Sequence, residues 1–123
     1  MAQINDVAKQ FVDYYYSTFD RNRAELAPLY KANSMLSFEG AQIQGSQAIV
    51  EKLVGLAFKR VAHKVISLDA QPSASPSSLL VAVTGQLLVD EEAHPMQFSQ
   101  TFQLLMDGGS YYVFNDIFRL NLG

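Results

Sequence analysis

Met96-Gln97-Phe98-Ser99-Gln100-Thr101-Phe102-Gln103-Leu104-Leu105-Met106 is followed by Asp107-Gly108-Gly109, and then by Ser110-Tyr111-Tyr112-Val113-Phe114-Asn115-Asp116-Ile117-Phe118-Arg119-Leu120. Side chains alternate along an extended chain, so Met96, Phe98, Phe102, Leu104 and Met106 share one face. The glycines accept a positive φ without steric cost, and Asp107-Gly108-Gly109 reads as a hairpin turn between strands at 96–106 and 110–121. In the second strand Tyr111, Val113 and Ile117 oppose Tyr112, Phe114, Phe118 and Leu120. Just upstream, a strand at 78–90 puts Leu79, Val81, Val83, Leu87 and Val89 on one face, with Leu80, Ala82 and Leu88 on the other. A sheet with one wet face alternates more cleanly than this. Both faces need cover.

Working toward the N-terminus, a further strand is expected at 59–70. The stretch Gln71-Pro72-Ser73-Ala74-Ser75-Pro76-Ser77-Ser78 joins it to the next as a surface loop, since prolines suit neither a helix interior nor a central strand. Met35–Phe38 and Gln42–Gln44 form a small hairpin about Glu39-Gly40-Ala41. The first third is helical: Ile4, Val7, Ala8, Phe11, Val12, Tyr15 and Phe19 recur at helical spacing. Asn22 with Glu25 suggests a capping box for a short helix over 22–31, with Pro28 inside it. A third helix follows Gly45, with Ser46 as its N-cap and Ile49, Val50, Leu53 and Leu56 as its buried face. The expected fold is α+β, three helices on one face of a mostly antiparallel sheet. A second copy of the chain is the simplest cover for the other face, so a homodimer is expected.

The 123 residues fit one domain, residues 1–123, around one core. Charged residues make up 17% against 49% hydrophobic ones, which leaves apolar surface for a partner. A net charge of -3 and the lack of a dense basic patch argue against nucleic acid. There is no cysteine, and His63 and His94 are the two histidines, so no metal site and no cofactor are expected. The start of the chain lacks the marks of a signal peptide or lipid anchor. The longest strictly apolar run, Leu79–Val83, is far short of a membrane span. A soluble, intracellular protein is the default reading.

Several residues invite a chemical role beside a plainer one. His63, between Val61 and Val65, is either a hydrogen-bonded structural residue or a group at a pocket mouth. Phe38-Glu39-Gly40 sets a ring beside a carboxylate, a core Phe before a turn or a receptor for an apolar anchor flanked by a basic side chain. Asp90-Glu91-Glu92 reads as a solvated turn or an acidic lure for a basic partner. A buried Asp116 would need polar partners. His63, Asp116 and Tyr16 suffice in kind for proton transfer, yet nothing in their spacing brings them together. No nucleophile elbow or phosphate-binding loop is present.

Taken in order, further marks resemble the nuclear transport factor 2 family: Tyr15-Tyr16, Phe19-Asp20, Leu29-Tyr30, Ser34 through Gly40, Gln44-Gly45, Ile49 through Leu53, Asp69 through Pro72, Gly85-Gln86-Leu87, Phe98 through Phe102 and Tyr111 through Leu120. The resemblance spans nearly the whole chain, and 112–120 is its most specific piece. It implies a cone-like fold whose bent sheet wraps an apolar cavity, a dimer formed sheet to sheet, and no catalysis. The implied role is an import carrier that binds Ran in its GDP form and Phe-rich nucleoporin repeats, works in cytoplasm and nucleus, and moves Ran through the nuclear pore. Positions matching the Ran site are Phe38, Leu56, Phe58, Val61, Ile117 and Phe118 as cavity lining, Glu39, Asp90 and Glu92 as an acidic rim, and Arg60 and His63 as polar rim groups. Ile4, Val7 and Asp20 match the repeat site. The chain departs from the family at Phe38, where Trp is common, and at Ile4, where the animal form has Trp. The rival reading is a cavity enzyme of the ketosteroid isomerase or dehydratase type, which needs acid–base groups converging in the cavity. The lining expected here is nearly all apolar. An adaptor dimer with other partners is the third reading.

Overall fold

The computed structural model describes residues 2–56, 60–75, 77–90 and 94–121. In chain order these form α1 (Ala2–Arg21), a 3-10 segment (Arg23–Leu29), β1 (Tyr30–Phe38), β2 (Ala41–Gln44), α2 (Ser46–Val54), β3 (Val61–Pro72), β4 (Ser78–Val89), β5 (Met96–Asp107) and β6 (Ser110–Leu120). Six strands make one open sheet in the order β2-β1-β6-β5-β4-β3. Every pairing is antiparallel except β1 with β6, which is parallel. The three helical elements pack on one face, giving the expected α+β layering on a mixed sheet.

α1 buries Ala8, Val12, Tyr15 and Phe19 along its apolar stripe, with Tyr16 and Thr18 beside them. Its first half holds Ile4 and Val7 partly buried against the core. The next two helical elements differ from expectation at their starts, and the first also at its end, since Tyr30 and Lys31 belong to β1 and not to a helix over 22–31. Residues 23–29 wind as a 3-10 helix, in which Asn22 accepts from the Ala24 N–H at 3.1 Å. Glu25 turns back to Arg21 at 2.9 Å, so the capping box is not made. Gly45, with φ of 92°, is the N-cap of α2, a conformation that favours glycine. Ser46 instead donates its hydroxyl to the Ala27 carbonyl at 3.0 Å and ties α2 to the 3-10 segment.

The β5–β6 pair corrects the sequence reading most. Gln103 faces Asn115 and Leu104 faces Val113, which leaves Phe114 as one extra residue in β6. A bulge of one residue reverses every later side chain. Val113 is therefore on the core face, and beyond the bulge Asp116 and Phe118 are on it too. Ile117, expected in the cavity lining, points to the outer face and is 52% exposed. Leu80 and Leu88 join it there at 40% and 42% exposure, while Val81, Val83 and Leu87 are buried on the inner face. The outer face keeps the apolar character that alternation implied.

Candidate functional site

One end of the sheet is where β1, β4 and β6 finish and β3 and β5 begin. Between this end and the helices lies a narrow hollow. Tyr15 and Phe19 of α1 wall one side, and Leu53 of α2 with Leu56 just beyond it wall another. The sheet supplies Leu36 and Phe38 from β1, His63 from β3, Leu87 from β4, Gln100 from β5, and Asp116 and Phe118 from β6.

A row of rings runs inward from half-buried Phe38. Phe38 and Phe118 stack with centroids 4.8 Å and planes 6° apart, and Phe98 continues the stack at 5.7 Å and 19°. Lys52 Nζ lies 5.6 Å from the Phe38 ring centroid, within reach of a cation–π contact.

The floor is polar, which the sequence reading did not anticipate. The Tyr30 hydroxyl donates to Asp116 Oδ2 at 2.7 Å, and Tyr15 lies 2.6 Å from Tyr30 and 3.4 Å from the same carboxylate oxygen. Gln100 Nε2 donates to Asp116 Oδ1 at 2.8 Å, and Gln100 Oε1 accepts from the Tyr16 hydroxyl at 2.7 Å. Burial pushes the Asp116 carboxyl up to about 6, against the bonds from Gln100, Tyr30 and Tyr15 that favour its charged form. Burial first, and then the Asp116 charge, raise the Tyr15, Tyr16 and Tyr30 hydroxyls well above the usual range. Each hydroxyl thus keeps its proton, and each proton has an acceptor inside the network. Both oxygens of Asp116 accept hydrogen bonds, so the convergence secures a buried charge.

His63 sits at the wall between floor and mouth. Its ring stacks on Tyr16 at 4.3 Å and 16°, and its Nδ1 lies 2.6 Å from Asp20 Oδ1. The plainer reading of His63 as a hydrogen-bonded residue and the reading as a pocket residue are both accommodated by this geometry.

The remaining sequence candidates divide. Glu39 follows Phe38 in a left-handed turn with φ of 51°, and its Oε1 accepts from the Leu120 N–H. Asp90 directly follows β4 with φ of 50° and accepts the Arg60 N–H at 2.9 Å, which brings these two rim candidates together. Val61 does not line the hollow. It is buried beside a neighbouring groove with Phe19, Asp20 and Val54, because it starts β3 beyond the wall that His63 forms. Phe58 and Glu92 lie outside the described residues. Ile4 and Asp20 are at opposite ends of α1, about 24 Å apart along its axis at 1.5 Å per residue. Within one chain they make no common patch.

Sequence reasoning quoted Tyr30 and Gln100 among the family marks and gave them no role in the site. One signal pointed toward them: an aspartate in an apolar strand needs buried donors. Among the described residues no cluster of acids and histidines suits a metal ion, and no helix is long and apolar enough to cross a membrane.

The nuclear transport factor 2 domain matches residues 7–120 of this chain. Over 121 residues the chain is 59% identical to nuclear transport factor 2 of Emericella nidulans, covering 98% of this chain and 97% of that one. Over 123 residues it is 55% identical to nuclear transport factor 2 of Schizosaccharomyces pombe, covering 100% of both. The solved structure of nuclear transport factor 2 from Cryptosporidium parvum superposes with a TM-score of 0.90 at 44% identity, covering 97% of this chain and 95% of that one.

Proposed function

The chain belongs to the nuclear transport factor 2 family, and on that premise we propose that its hollow docks Ran in the GDP form. As a member of that family it is a transport factor, not an enzyme. The observation that carries the docking reading is the stacked pair Phe38–Phe118 at the entrance, with a carboxylate, Glu39, on the very next residue. A ring-walled slot beside an acid suits a phenylalanine flanked by basic side chains. Burying one such phenylalanine contributes roughly 1.5–3 kcal/mol. That is too little alone, so Glu39 and Asp90, with Glu92 two residues after Asp90, add charge-assisted contacts and orientation. Discrimination of the GDP form follows when a switch segment of Ran offers its phenylalanine in that state alone.

The whole chain acts in this reading as one domain. Phe-rich nucleoporin repeats dock beside the first half of α1, where Ile4 and Val7 lie, through weak contacts that a fast carrier can break. A second copy covers the outer sheet face around Leu80, Leu88 and Ile117. The carrier works between cytoplasm and nucleus through the pore.

Titration calorimetry of the chain with Ran-GDP and with Ran-GTP tests this. Binding of the GDP form alone is expected; equal binding of both forms, or of neither, would defeat the reading.

A further inference from the structure

Asp20 and His63 meet where the last turn of α1 crosses β3. Both carboxylate oxygens of Asp20 serve this one residue: Oδ2 accepts from the His63 backbone N–H at 3.0 Å, and Oδ1 lies 2.6 Å from the ring Nδ1. The ring is clamped flat on Tyr16 and edge-on to Phe19 and Phe98, with its side chain 2% exposed. Among the described residues, Nδ1 is the ring nitrogen that has a hydrogen-bond partner. A carboxylate only accepts, so the contact places a proton on Nδ1, and of the two neutral tautomers it selects the one whose Nε2 keeps its lone pair. Asp20 also occupies the end of a helix where the macrodipole disfavours a negative charge. A carboxylate in that unfavourable place, spent twice on a residue 43 positions away, is explained by what it does for that residue.

We propose that Asp20 is a positioning residue of the hollow: it sets the tautomer and tilt of His63, so that the wall offers an acceptor nitrogen to an N–H or O–H of the incoming chain. This rests on the reading of the hollow as a docking site, and it assigns Asp20 to that site and not to repeat binding.

Asp20→Asn separates the possibilities because it keeps the size of the side chain. Its amide oxygen still accepts the backbone N–H of His63, which turns the NH₂ toward Nδ1 and moves the ring proton to Nε2. Side-chain ¹⁵N spectra of His63 report the tautomer in the free protein, and calorimetry reports Ran-GDP and a Phe-rich repeat peptide. Wild type should show the Nδ1-protonated ring. Asp20→Asn should show the other tautomer and bind Ran-GDP about tenfold more weakly, with repeat affinity within about twofold. In a His63→Ala background the Asp20→Asn change should cost no further Ran-GDP affinity. An unchanged Ran-GDP affinity with the tautomer reversed would overturn the proposal. So would loss of repeat binding alone, or a full added loss in the His63→Ala background. A wild-type chain that ignores Ran-GDP would instead bring down the docking reading, while the ¹⁵N spectrum would still decide whether Asp20 pins His63.

Discussion

Phe38 of β1 and Phe118 of β6 sit directly opposite one another across the parallel strand pair, and their rings lie 4.8 Å apart and within 6° of parallel. Strand pairing fixes both backbones, so the rings form a rigid wall and need no partner to order them. That matters for affinity, since a wall already ordered loses little conformational entropy on binding.

The two rings should respond differently to truncation. Phe118 is buried, and Phe118→Ala should destabilise the fold by about 3 kcal/mol. Phe38 is half-buried at the mouth, and Phe38→Ala should cost about 1 kcal/mol while still removing most Ran-GDP binding. Urea unfolding alongside calorimetry checks the pair. A Phe38→Ala variant that binds normally would show that the entrance is not the contact.

Asp116 makes the stability of the chain depend on pH in an unusual direction. Its carboxyl is raised from 3.8 to about 6 in the fold, so between those values the native state holds a proton that the unfolded chain has released. The contribution is full below about pH 4 and is lost as pH rises through about 6. Asp116→Asn keeps an oxygen for the tyrosines and removes the charge. Wild-type stability measured relative to that variant should therefore fall by about 2–3 kcal/mol from acid to neutral pH. Urea unfolding of both proteins across this range checks it. A flat difference would place the carboxyl in a wetter setting.

Gly85 is required by what lies around it. A Cβ added there would stand 2.3 Å from the Lys64 carbonyl oxygen and 3.0 Å from Phe98 Cε1. The first neighbour is backbone and cannot swing aside. Gly85→Ala should cost at least about 2 kcal/mol, read as a lower urea midpoint. An unchanged midpoint would mean that β3 yields at this point, next to its own register shift between Val65 and Ser67.

The outer face of the sheet predicts oligomeric state. Leu80, Leu88 and Ile117 expose apolar side chains there, and a lysine at the centre of a sheet-to-sheet contact would bury an unpaired charge. Sedimentation of the wild type should give about twice the 13.7 kDa chain mass, and Leu88→Lys should give a monomer. A wild-type monomer at micromolar concentration would remove the dimer.

Much of this was legible in the residues. Strand and helix positions followed from periodicity and from glycines such as Gly108 and Gly109, whose φ values of 62° and 90° suit no other residue as well. The bulge at Phe114 was not legible, because an extra residue changes parity without changing composition. That single residue put Ile117 outside and Asp116 inside. The floor network was not legible either: Tyr15 and Asp116 are 101 residues apart, and only the closed fold brings them together. The meeting of Asp20 with His63 is of the same kind. Local patterns report local structure, whereas a buried polar cluster is assembled from distant elements.

Glu39 separates charge from shape at the rim. Its Oε1 accepts the Leu120 N–H and its backbone N–H donates to the Phe118 carbonyl at 3.1 Å, so it helps fix the end of β6 beside the stacked rings. Glu39→Lys would lose both that bond and the charge, and its failure to bind would not say which mattered. Glu39→Gln keeps an oxygen for Leu120 and removes the charge alone. If the rim pairs with basic groups of Ran-GDP, Glu39→Gln should bind roughly tenfold more weakly at low salt. The gap to wild type should narrow as salt rises, because screening weakens the wild-type contact more. Calorimetry at two ionic strengths decides it. An equal deficit at both would make Glu39 a structural acceptor, and no deficit at either would take its charge out of the site.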